Sequence, residues 1–211
     1  MPENLTEVIS KLRPRVNDVH SAREEALQTA RTIIQRSSKT IKHLHREQFA
    51  AAEALLKELR ALLDEYYRIL RPFPMVFYAP YVQAAVKEYV EVVLLHALLL
   101  RRPLPTHEEL DVEPPAYLNG LCEAASELRR YVLDIVRKGR FEEAQRLVDE
   151  MEDIYDELVT FDYPDALLSN LRQGVDGYRA VLERTQNDLA VTSTQLKLIE
   201  ELRLARERKE R

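Results

Sequence analysis

Apolar residues recur along most of this chain every three or four positions, the spacing of one face of an α-helix. Over residues 4–46, Ala26, Ala30, Ile33, Ile34, Ile41 and Leu44 fit that spacing, and Pro14 predicts a kink or an early break. A second helix is expected over about 47–70, where Phe49, Ala52, Leu55, Leu56, Leu59, Leu62, Leu63, Tyr66 and Tyr67 form the apolar set. Pro72 and Pro74 end it, because the residue before a proline leaves the helical region. A third helix spans about 78–100; its second half is apolar nearly all round and so belongs inside the core. Beyond Pro103 and Pro105, Thr106 and Glu109 have the spacing of a capping box. Pro114 and Pro115 introduce a helix over about 116–137, with Gly139 placed as its C-terminal cap. Another helix covers 141–160 and breaks at Pro164, and the last starts near Asp165 and reaches about Arg206.

In that last helix Leu168, Leu171, Val175, Tyr178, Leu182, Thr185, Leu189, Thr192, Leu196 and Ile199 alternate at three and four residues. A helix of about 40 residues is near 60 Å long. One small domain does not cover that length, so the pattern predicts that part of it packs on another subunit. The whole reads as a single all-α domain over 1–211 with its core at about 20–200, and as an oligomer.

Composition supports helices. The chain has only 4 Gly in 211 residues, too few for the many tight turns of a strand-rich fold. Hydrophobic residues make up 45 % and charged residues 32 %, which excludes a disordered chain. Cys122 is the only cysteine, which excludes an intramolecular disulfide and a cysteine metal cluster. The start, MPENLTEVISKLRPR, lacks the apolar core of a signal peptide. The most apolar run, Val92 to Leu100, is far shorter than the roughly 20 residues of a membrane span. No membrane association and a cytoplasmic location are the expectation.

The net charge of −5 does not mark a nucleic-acid binder, but the charge is uneven. Arg31, Arg36, Lys39, Lys42 and Arg46 fall in a stretch without an acid, which suits phosphate contacts; a solvated basic helix face is the plainer reading. The five histidines, His20, His43, His45, His96 and His107, are scattered. His43 and His45, two apart, face different sides of a helix and make a poor metal pair, and His96 reads as a core histidine. Phosphate loops and the usual hydrolase signatures are absent.

Two carboxylate pairs stand out. Glu88 and Glu91 are three apart, Glu123 and Glu127 four apart, so each pair shares a helix face. Glu91 sits in an apolar run and Glu123 among small and apolar residues, where a carboxylate needs a cation, a hydrogen-bond network or a proton. Converging on neighbouring helices, the four would suit Mg²⁺ or Mn²⁺, hard cations that take oxygen ligands, and a cation there would activate water against a phosphodiester. Structural bridges to Lys87, Arg129 or Arg130 are the alternative.

The run ARTIIQRSSKTIKHLHR at 30–46 resembles the N-terminal signature of the Trax branch of the Translin/Trax family. KEYVE at 87–91, YLNGLCEAASELRR at 117–130, KGRF at 138–141 and LRQGVDGYRAVLE at 171–183 resemble family segments in the same order. The resemblance covers about residues 20–190. It implies an all-α fold of about seven helices with a long C-terminal helix, assembled as a hollow octamer, here a homo-octamer. It also implies cleavage of single-stranded RNA by interior carboxylates, which fall on Glu88, Glu91, Glu123 and Glu127 as catalytic and metal-holding residues with Mg²⁺ or Mn²⁺. Arg31, Arg36, Lys39, Lys42 and Arg46 become candidate contacts to a single-stranded RNA, or DNA, backbone. Tyr66, Tyr67, Tyr78 and Tyr131 are candidates for base stacking, with core packing as their ordinary use.

The sequence departs from the Trax pattern. Glu123 stands where Trax has Asp, Ala125–Glu127 looks more like Translin, and the extra segments of Trax between helices three and four are missing. A non-catalytic, Translin-type binder of single-stranded RNA or DNA is therefore the alternative function, with a purely structural helical scaffold behind it.

Overall fold

A computed structural model describes residues 4–209, so residues 1–3 and 210–211 of the expected domain lie outside the described chain. The described residues are helical without strands. Six long helices are α1 (Leu5–His45), α2 (Phe49–Leu70), α4 (Pro80–Leu99), α6 (Pro114–Arg137), α7 (Phe141–Leu158) and α9 (Leu171–Lys209). Single turns, α3 (Pro74–Phe77), α5 (His107–Leu110) and α8 (Asp165–Leu168), fill the connections. α1 packs between α2 and α4, and α6 packs against α4, α7 and α9. α4 lies at the centre and is buried nearly all round, as its sequence requires.

Most predicted boundaries hold to within two residues, and three differ for local reasons. α1 runs through Pro14. That proline is exposed, so the carbonyl it leaves without a partner faces water and the ladder closes on either side. Glu47 does not begin α2; it turns the chain with φ of 56°. The last helix is interrupted: Ser169 and Asn170 take the left-handed conformation, with φ of 53° and 62°, and α9 starts only at Leu171. Asn119 donates from Nδ2 to the Leu168 carbonyl at 2.8 Å and caps that break. The expected capping box at Thr106 and Glu109 is present, and Gly139 ends the α6 turn with φ of 76°.

Two long-range contacts fix the ends of the bundle. Glu47, between α1 and α2, pairs with Lys138 and Arg140, between α6 and α7. The buried Tyr66 hydroxyl donates to the Ala26 carbonyl, joining α2 to α1 at 2.9 Å. Gly120 controls the α4–α6 distance. A Cβ there would lie 2.7 Å from Val90 Cγ1 and 3.1 Å from the Lys87 carbonyl, so only glycine lets the two helices close.

Candidate metal centre and nucleic-acid interface

That close approach sets the geometry of the carboxylates. Glu88 and Glu91 project from α4 and Glu123 from α6, and one oxygen of each lies within 4.8 Å of the others. Glu91 is buried and makes no hydrogen bond among the described residues. Burial, then the charges of Glu88, Glu123 and Glu127, push its carboxyl up to about 8. Burial also raises Glu88, against the opposing pull of Lys87. Such a group of carboxylates is short of positive charge, and its hard oxygen donors fit a divalent cation of the Mg²⁺ or Mn²⁺ kind.

Glu127 stands apart from the other three. Its Oε1 lies 2.5 Å from Nε2 of His45, which is 7 % exposed at the end of α1. The Nδ1 atom of the same ring is buried without a partner. Lys87 supplies the local cation: its ammonium bonds Glu123 and lies 3.7 Å from Glu88. Burial alone would lower the lysine, but Glu123, Glu88 and Glu91 hold it above its ordinary value. The bridge to Lys87 is thus real for Glu123, whereas Arg129 pairs instead with Asp188 on α9.

Sequence reasoning placed no role on His45, and it gave Lys87 only a bridging one. In the sequence His45 shows only its two-residue spacing from His43, which turns away to Gln48. The usable signal was its position in the family-like run that ends α1. His96 is buried, as expected of a core residue, yet its Nε2 makes no hydrogen bond and lies 3.5 Å from Glu53.

Of the five basic residues on α1 and its C-cap, Arg31, Lys39, Lys42 and Arg46 are exposed and carry no ion pair. At 100° per residue they share an arc of about 80°, directly opposite the buried Ala26, Ile33, Ser37 and Leu44. Arg36 lies off that stripe and pairs with Glu58 of α2 at 3.2 Å. His45, at the end of α1, occupies the flank between the stripe and the core. Among the four candidate stacking tyrosines, Tyr66, Tyr67 and Tyr131 are buried core residues, and Tyr78 is 60 % exposed.

Comparison with known proteins agrees with this architecture. The Translin family matches residues 7–190. An uncharacterised protein of Methanocaldococcus jannaschii, MJ0175, is 30% identical over 186 residues, covering 87% of this chain and 82% of that protein. A structure of AfC3PO in complex with duplex RNA superposes with a TM-score of 0.82 at 33% identity, covering 89% of this chain and 97% of that one. A crystal structure of apo-NeC3PO, at 21% identity, shares the fold with a TM-score of 0.79 over 91% of this chain and 98% of its own. With the helical order, the close α4–α6 pair and a sequence match over most of its length, the chain belongs to the Translin family.

Proposed function

We propose that this protein is a divalent-metal-dependent endoribonuclease acting on single-stranded RNA. The observation that carries the reading is the convergence of Glu88, Glu91 and Glu123, one oxygen each within 4.8 Å, at positions where the resemblance to Trax puts carboxylates. The AfC3PO complex with duplex RNA supports RNA as the ligand class. Glu88, Glu91 and Glu123 would hold the cation, with Glu127 beside them. A divalent cation at that place supplies Lewis-acid stabilisation of the phosphate oxygens and lowers the pKa of adjacent water.

The chain's own residues do the rest. His45 orients Glu127 through Nε2. Lys87 neutralises Glu123 and Glu88 and offers a positive charge to an incoming phosphate. Arg31, Lys39, Lys42 and Arg46 guide the strand by its backbone, without reading sequence. Arg36, engaged by Glu58, contributes less.

A homo-oligomer, with eight copies as the proposed count, fits two uncovered apolar surfaces. Leu5, Val8, Ile9, Leu12 and Val16 form an exposed stripe on α1, and Leu198, Ile199 and Leu202 are exposed near the end of α9.

A second reading, a Translin-type binder without turnover, is favoured by one specific observation: the Lys87 ammonium already sits against Glu123 and Glu88. The two readings part in one assay. Labelled single-stranded RNA is incubated with the wild type and with Glu123→Ala, each in Mg²⁺ and in EDTA. Cleavage only by the wild type in Mg²⁺ supports the nuclease; equal behaviour in all four reactions removes it, and salt-sensitive binding without cleavage selects the binder.

A further inference from the structure

The carboxylates occupy one end of a longer groove. Along α4, Pro80, Gln83, Ala84 and Lys87 share a face that continues to Glu88 and Glu91. Opposite them on α6, Pro115, Asn119 and Glu123 share a face that continues to Glu127. Between these rows, away from Glu91, lies a cleft of about 510 Å³ whose far wall is Tyr78.

Its chemistry changes along its length. Lys87 and Glu123 provide charge at the end next to the carboxylates, and the far end carries no charged side chain. Helix amides are few at that end, because Pro80, Pro114 and Pro115 at the starts of α4 and α6 carry no N–H group. It offers carbonyl oxygens instead. Gln83 donates from Nε2 to the Phe77 carbonyl at 2.9 Å. Asn119 donates from Nδ2 to the carbonyls of Pro115 and Leu168, both at 2.8 Å. Each amide is thereby fixed by its nitrogen; the Asn119 oxygen lies toward Gly174 of α9, 3.9 Å from where a Cβ there would sit, and the Gln83 oxygen is left as the acceptor of the cleft. Tyr78 is 60 % exposed, and Phe77 holds its ring from one side in an edge contact with centroids 5.0 Å apart. Pro80 to Lys87 spans two helical turns, about 10 Å, which matches the reach of one nucleotide from phosphate to base.

We infer that this cleft is a nucleobase subsite. A base next to the phosphate held at the carboxylate end stacks on Tyr78, and Gln83 Oε1 accepts from its amino or imino N–H group. Every base has a π-face, so stacking supplies affinity, while the Gln83 acceptor favours bases that present a donor. The inference rests on the RNA reading above.

The test uses short single-stranded RNAs in EDTA with 2-aminopurine placed at each position in turn, since stacking on an aromatic ring quenches that base. The wild type and Tyr78→Phe are expected to quench one position. Tyr78→Ala is expected to lose that quench and to bind about tenfold more weakly; Gln83→Leu keeps the quench but loses preference among bases. RNA that binds without quenching at any position, or quenching that survives in Tyr78→Ala, overturns the subsite. Wild type that binds no RNA at low salt overturns the RNA reading itself, and the subsite with it.

Discussion

Glu91 is the residue whose environment most constrains the site. Its pKa of about 8 lies above the usual 4.5, so between those pH values the folded chain binds a proton that the unfolded chain has released. The contribution of this group to stability is therefore full below pH 4.5 and is lost as pH rises toward 8. In EDTA, Glu91→Gln should raise Tm at pH 8 by several degrees and change it little at pH 4.5, as thermal scans at the two values would show; a pH-independent difference contradicts the burial argument. Lys87→Met should act the other way. Glu123 and Glu88 lose their counter-charge, the chain without metal melts earlier, and added Mn²⁺ restores more Tm than it does in wild type. Equal Mn²⁺ shifts in both proteins would show that Lys87 and the cation do not share these carboxylates. The glutamates were legible in the sequence because a carboxylate in an apolar run demands a reason. The bridge of Lys87 to Glu123 was legible only as one of three alternatives and the pairing of His45 with Glu127 not at all, because Lys87 is 36 residues from Glu123 and His45 is 82 from Glu127. No local pattern encodes pairings of that range.

At the scale of the elements, the site exists because α4 and α6 touch. Gly120→Ala puts a methyl group into Val90, and overpacking of this kind destabilises by about 1–3 kcal/mol. Thermal scans should show a Tm lower by roughly 2–4 °C per kcal/mol, and Mn²⁺ binding should weaken as the two carboxylate pairs separate. Unchanged Mn²⁺ affinity would mean that the α4–α6 distance does not set the site. The six long helices were readable from apolar periodicity and prolines, since both act within a few residues. What escaped were the places where one side chain decides the backbone. Asn170 accepts the left-handed conformation more readily than most residues, and Asn119 reaches across from α6 to stabilise the break. Pro14 shows the converse, a helix breaker tolerated where water satisfies the freed carbonyl.

Across the whole molecule, the basic stripe and the apolar ends are the surfaces that the proposed RNA binding and self-association would use. Removing two unpaired stripe residues, Arg31→Ala with Lys42→Ala, should weaken RNA binding similarly for all sequences and lower the salt slope by about 1.4, at roughly 0.7 per phosphate contact for a single strand. Binding isotherms at several salt concentrations give that slope. Arg36→Ala should change it less. In light scattering, the wild type should have a mass near eight times the 24.6 kDa chain, and Leu12→Glu should lower it by placing a charge in the α1 stripe. A monomer in both cases would leave the apolar stripes without a second copy to cover them. The long C-terminal helix was legible as a heptad pattern, and its seam is covered from Leu171 to Leu189 and then exposed at Leu196 and Ile199. One chain's sequence carries the uncovered seam but not the surface that meets it, so the assembly could not be read to the same depth.

Above all, the proposed nuclease needs Glu88, Glu91 and Glu123 to bind one divalent cation. Crystals soaked in Mn²⁺ and measured for anomalous scattering test this directly. One strong anomalous peak per chain between those three carboxylates, with the Lys87 ammonium withdrawn from Glu123, is the predicted result. No peak there at saturating Mn²⁺, with the Lys87–Glu123 pair intact, would contradict it.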